Sequence, residues 1–108
     1  MAFADTLKTL AGISHLAALQ LIDADTGAIV DTLENKPGKS GSLAVYNHLA
    51  ETFGAITPEA AARGLELFDE HTADARANPG KHPNVDRLTA LVASGKTFQV
   101  RPVPVATT

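Results

Sequence analysis

The apolar positions of this chain change period several times, and each change predicts an element. Phe3, Leu7 and Leu10 recur at spacings of four and three, which predicts a short helix over residues 3–12 that Gly12 would end. Two apolar runs then flank a short Asp/Gly segment. Leu16–Ile22 and Ala28–Leu33, with Asp23–Gly27 between them, read as a β-hairpin. From Leu43 to Phe53 the period is helical again, with Leu43, Val45, Tyr46, Leu49, Ala50 and Phe53 on one face and Gly54 as the stop. Ser40 or Ser42 would supply the N-cap.

The strongest helix pattern begins at Thr57-Pro58-Glu59, with Thr57 as cap and Pro58 at the first helical position. Its stripe of Ala61, Leu65, Phe68, Thr72 and Ala75 predicts one helix running to about Ala77, because Pro79 disfavours continuation. Asn84 would cap another helix carrying Val85, Leu88, Leu91 and Val92, ended by Gly95. Thr97–Arg101 alternates as a strand, and Pro102 and Pro104 would place it at a sheet edge or end it. A bare hairpin is marginal in water, so it needs a third strand or a helical cover. The expected fold is therefore α+β: a small antiparallel sheet, made of the N-terminal hairpin and the C-terminal strand, packed against three or four helices. A single domain is expected over residues 1–105, with 106–108 as a frayed tail.

Composition narrows the chemistry. The 108 residues contain no Cys, which excludes disulfides, thiolate metal sites and thiol nucleophiles. A net charge of -3 argues against a general nucleic-acid binder, which normally carries a basic face. Met1–Asp5 lacks the basic start and apolar run of a signal peptide, and no stretch approaches the roughly 20 apolar residues that span a bilayer. The expectation is a cytoplasmic protein with no membrane partner.

One tripeptide occurs twice. Pro37-Gly38-Lys39 and Pro79-Gly80-Lys81 each read as a type II turn, because proline pre-sets its own φ and glycine accepts the positive φ that follows. Each turn precedes a predicted helix start and adds a lysine there, an arrangement suited to anions. A nucleotide-hydrolysing phosphate loop is ruled out, since the glycine it needs five residues before Gly38 is Leu33. The candidate ligand-binding residues are Lys39, Ser40, Ser42, His71, Lys81, His82 and Asn84. His71, Asp74 and His82 form the candidate set for a metal or for acid-base work. They lack any recognised ligand spacing and no activated nucleophile accompanies them, so neither a cofactor nor an enzyme is favoured.

The segments Gly41–Asn47, Glu70–Thr72, Ala75-Arg76 and Asn78–Leu88 resemble a family of small bacterial proteins, domain-of-unknown-function family 2322. The similarity covers nearly the whole chain, with Asn78–Leu88 its most specific part. The resemblance implies a single-domain bacterial protein and carries over no activity, substrate or catalytic residue. The leading functional expectation is a non-enzymatic binding module for an anionic or phosphate-bearing ligand at the Pro-Gly-Lys turns. The alternatives are a homo-oligomeric interaction protein, using apolar positions such as Ala18, Ile22 and Val30 on the sheet's second face, and an enzyme using His71, Asp74 and His82.

Overall fold

A computed structural model describes residues 3–10 and 12–105. The hairpin forms as expected, from β1 (Leu16–Asp23) and β2 (Ile29–Glu34), and β3 (Phe98–Pro104) pairs with the other side of β1. The sheet is antiparallel throughout, in the order β2-β1-β3. Asp23 closes the hairpin turn by accepting from the Asp25 amide at 2.8 Å. The C-terminal strand lies at the sheet edge, runs through Pro102 and ends at Pro104. An edge strand leaves one row of amides unpaired, so the missing proline N–H groups cost the ladder nothing.

Side chains alternate across the sheet. Leu19, Leu21 and Leu33 enter the buried core, whereas Ala18 lies outside that cluster. A register shift between Leu16 and Ala18 resets the alternation, which lets Leu16 be buried as well. On the other face of the sheet, the apolar Ala18 and Ile22 flank Gln20, which pairs with Thr32 and Arg101, while Val30 falls at the register shift opposite Leu21 and Ile22.

Among the described residues there are also five helices: α1 (Phe3–Leu7), α2 (Ser40–Phe53), α3 (Pro58–Phe68), α4 (Glu70–Ala77) and α5 (Pro83–Ser94). The first is shorter than its apolar spacing predicts. Turn-type bonds such as Leu10 N–H to the Leu7 carbonyl carry the chain onward. The predicted segment also included Ala11, which lies outside the described residues, as does the 106–108 tail. α2 lies against β1 and β2 and also packs on α3, which packs on α5. Leu43, Val45, Tyr46 and Leu49 are fully buried along it. Asn47 is 5% exposed even though its position falls off the centre of the apolar face, and it keeps a hydrogen bond to Glu51.

The helix starts bear out one expectation and correct two. Thr57 does cap α3, accepting from the Ala60 amide. Neither Ser40 nor Ser42 caps α2, which begins at Ser40 with Lys39 in the cap position and no side-chain cap bond. Asn84 does not cap α5. That helix starts two residues earlier than an Asn84 cap implies, at Pro83, with His82 in the cap position, and the Asn84 side chain instead accepts from Arg87 at 2.8 Å.

The long helix expected over 58–77 is broken at Asp69, which has φ 51 and is the only described non-glycine residue with positive φ. The Asp69 amide bonds the Glu66 carbonyl, not that of Leu65, and the Thr72 hydroxyl donates to the Leu65 carbonyl at 2.6 Å. Thr72 thus satisfies an acceptor that the break would otherwise orphan, which is why a polar residue sits in the apolar stripe at 7% exposure. Among the described residues, no helix is long and apolar enough to cross a membrane.

Candidate functional site

Both Pro-Gly-Lys turns are closed as type II turns. Lys39 N–H donates to the Lys36 carbonyl at 2.9 Å and Lys81 N–H to the Asn78 carbonyl at 3.1 Å, with Gly38 at φ 82 and Gly80 at φ 92. The second is braced further by the Gly80 amide, which donates to Asp86 at 3.0 Å. The first turn follows β2 and the second follows α4, yet both open onto one cleft of about 530 Å³. Six of the seven candidate ligand-binding residues line it: Lys39, Ser42, His71, Lys81, His82 and Asn84. Ser40 begins α2 but does not line the cleft.

The bend at Asp69 turns α4 toward the second loop. Asp74 Oδ2 lies 2.6 Å from His82 Nε2 and 3.0 Å from Lys81 Nζ, and Asn78 Nδ2 donates to its other oxygen at 3.0 Å. Because a carboxylate only accepts, Nε2 of His82 carries a proton here. His71 does not pair with Asp74. It packs edge-on against Phe3, with centroids 4.7 Å apart, and lies 5.2 Å from the His82 ring. Histidine and carboxylate therefore meet across the turn between α4 and α5, not along one helix face. Among the described residues, no group of three or more His, Asp or Glu side chains is placed to hold a metal ion, and the His71, Asp74 and His82 set does not form one.

The His82 hydrogen bond, followed by that from Lys81, holds the Asp74 carboxyl down at about 2, below its ordinary value. A lowered carboxyl stabilises the fold at pH above its unfolded value near 3.8, and that contribution disappears as pH falls through about 2. We therefore expect acid unfolding to include a component between pH about 4 and about 2 that Asp74→Asn removes. Stability curves of the two proteins measured at stepped pH check this. Parallel curves across that window would contradict it.

The cleft also takes in residues outside the candidate set, among them Phe3, Gly41, Asp31 and Glu34. Phe3 stacks on Phe68, with centroids 5.3 Å apart and planes 16° apart, and its amide donates to Glu70 Oε1 at 2.6 Å. That bond is the main reason the Glu70 carboxyl lies below its usual range. Gly41 lines the cleft beside Phe3. Asp31 and Glu34 bring carboxylates to the same wall, but each has a cationic partner. Arg87 binds Asp31, and Lys36 binds Glu34 at 2.8 Å. Arg87 also donates to the buried Tyr46 hydroxyl, whose burial pushes its ionisation up to about 12. The pairing of Asp31 with Arg87 joins β2 to α5, and only the alternation of β2 hinted at it, by placing a carboxylate at an inward position beside Leu33.

Lys39 has no ion-pair partner among the described residues, in contrast to Lys81. The amides of Gly41, Ser42 and Asn84, in the first turns of α2 and α5, likewise have no protein acceptor among the described residues. Two uncapped helix starts and two lysines thus share one concave surface.

Residues 3–102 match the family described as an uncharacterized protein conserved in bacteria, DUF2322. The chain belongs to that family. The assignment agrees with the resemblance read from the segments between Gly41 and Leu88, and the matched span contains every residue of the cleft. No curated protein matches the chain, and no solved structure does. For this DUF2322 member the reading of the cleft rests on its own geometry.

Proposed function

We propose that this protein is a non-enzymatic binding module whose cleft takes an anionic, phosphate-bearing ligand. The observation that carries the reading is the convergence of Lys39 and Lys81, from two separate Pro-Gly-Lys turns, on one cleft. Backbone amides at a helix start point outward with a partial positive charge, and phosphate is the group they accommodate most readily. Here two such starts, at α2 and α5, face the same space without side-chain caps. The nearby carboxylates of Asp31 and Glu34 are each offset by a cation, and Asp74 is engaged by His82 and Lys81, so Lys39, which feels Glu34 only at longer range and forms no ion pair among the described residues, is the cation left open to a ligand.

Binding alone is the better-supported reading than catalysis. No serine or threonine hydroxyl hydrogen-bonds His71 or His82 among the described residues, so neither ring has a nucleophile to activate. The Asp74 bond takes up Nε2 of His82 and fixes the orientation of the ring at the cleft wall.

Titration with inorganic phosphate, followed by amide NMR, tests the proposal. Residues 38–42 and 80–86 are expected to shift together, with one dissociation constant, because they face one ligand. If these amides stay still while the protein is folded, the binding reading is wrong.

A further inference from the structure

We infer that the ligand is a phosphate monoester with an aromatic body, its phosphate between Lys39 and Lys81 and its ring against Phe3. This rests on the anion-binding reading above and adds the character of the rest of the molecule.

Size comes first. The cleft encloses about 530 Å³. A water molecule occupies about 30 Å³ of liquid, so a bare phosphate, equivalent to a few waters, would leave most of the space wet. Sites of roughly 300–1,000 Å³ match small organic ligands.

The second observation is how the lining is divided. Lysines, His82 and Asn84 supply polar groups, while the half-buried Phe3 ring supplies apolar surface and the buried Phe68, Leu33 and Val85 complete the apolar lining. A purely ionic ligand has no use for that second set, and burying a polar body such as glycerol against it would strand hydroxyl groups.

The third is contiguity. A β carbon on Gly41 would lie 3.2 Å from Phe3 Cε2, so the Phe3 ring packs against the start of α2, where the Gly41 amide has no protein acceptor among the described residues. A phosphate held by that amide therefore carries its ester substituent onto the ring. Phe3 is itself fixed, stacked on Phe68 and met edge-on by His71. A rigid aromatic surface favours an aromatic partner, because ring pairs contribute beyond the area they bury.

The experiment compares inorganic phosphate, glycerol phosphate and phenyl phosphate against the full chain by calorimetry. Phenyl phosphate is expected to bind about tenfold more tightly than glycerol phosphate. In Phe3→Ala that difference is expected to vanish, while glycerol phosphate binds within about twofold of its original strength. A measurement on the unaltered protein makes the test independent of how that variant folds. The methyl resonances of Leu33 and Val85 should show ring-current shifts with phenyl phosphate and none with glycerol phosphate. Equal affinity for the two esters, or unmoved methyl resonances, would overturn the aromatic inference and leave phosphate binding standing. Failure of all three compounds to bind would overturn both.

Discussion

Gly64→Val is expected to destabilise the fold by about 3 kcal/mol, the upper part of the range for overpacking a core. A β carbon built at Gly64 would lie 2.6 Å from Leu88 Cδ1 and 2.8 Å from Leu49 Cδ1. Both leucines are fully buried, so neither has open space to move into. Gly64 is the point at which α3 approaches α2 and α5 together, and the missing side chain is what permits that approach. Valine adds two methyl groups to an already occupied volume. Alanine is expected to cost less, since its single carbon clashes less and alanine gains about 1 kcal/mol in helix propensity over glycine. Denaturant titration reads the effect as a lower midpoint at an unchanged slope. A valine variant within 0.5 kcal/mol of the parent, on the scale of about 0.5 kcal/mol typical of neutral surface changes, would show that the helices separate freely there.

Lys39→Glu is expected to weaken phosphate binding by about 100-fold while leaving stability within about 0.5 kcal/mol. The two expectations come from one fact. Lys39 has no ion-pair partner among the described residues, so removing it breaks nothing that holds the fold. Its loss removes a charge-assisted hydrogen bond to the anion, worth about 1.5–3 kcal/mol, and the new carboxylate adds repulsion. Lys81 offers no such separation, because it binds Asp74 at 3.0 Å and its replacement alters the α4–α5 turn as well. Calorimetry and thermal melting of the same Lys39→Glu sample decide the matter. Unchanged affinity would remove the first turn from the site.

Much of this architecture is visible in the residue pattern. The two apolar runs on either side of Asp23–Gly27 mark the hairpin because short-range turn chemistry decides it, and Thr57-Pro58-Glu59 marks α3 because the cap is local. The Pro-Gly turns are readable for the same reason. What the pattern does not carry is decided at longer range. The break at Asp69 depends on the Thr72 hydroxyl reaching back to the Leu65 carbonyl, and a wheel drawn through residues 58–77 treats Thr72 as one more stripe position. The caps of α2 and α5 were misplaced because serine and asparagine have alternatives to capping, and Asn84 takes Arg87. Lys39, His71 and Lys81 were legible as candidates one by one. Their meeting in one cleft was not, because it needs β2, α2, α4 and α5 docked together. Phe3 carried no signal beyond apolar spacing.

The backbone of Asp69 has a geometric consequence for the cleft. An α-helix advances about 1.5 Å per residue, so residues 70–77 continuing straight from α3 would project roughly 12 Å along its axis. His71 and Asp74 would then travel away from the start of α5, and His82 would lose its carboxylate. Bending at one residue converts that outward travel into a return path, with Asp74 reaching His82 at 2.6 Å. One wall of the cleft is thus located by a single pair of dihedral angles at a position that no ligand need touch.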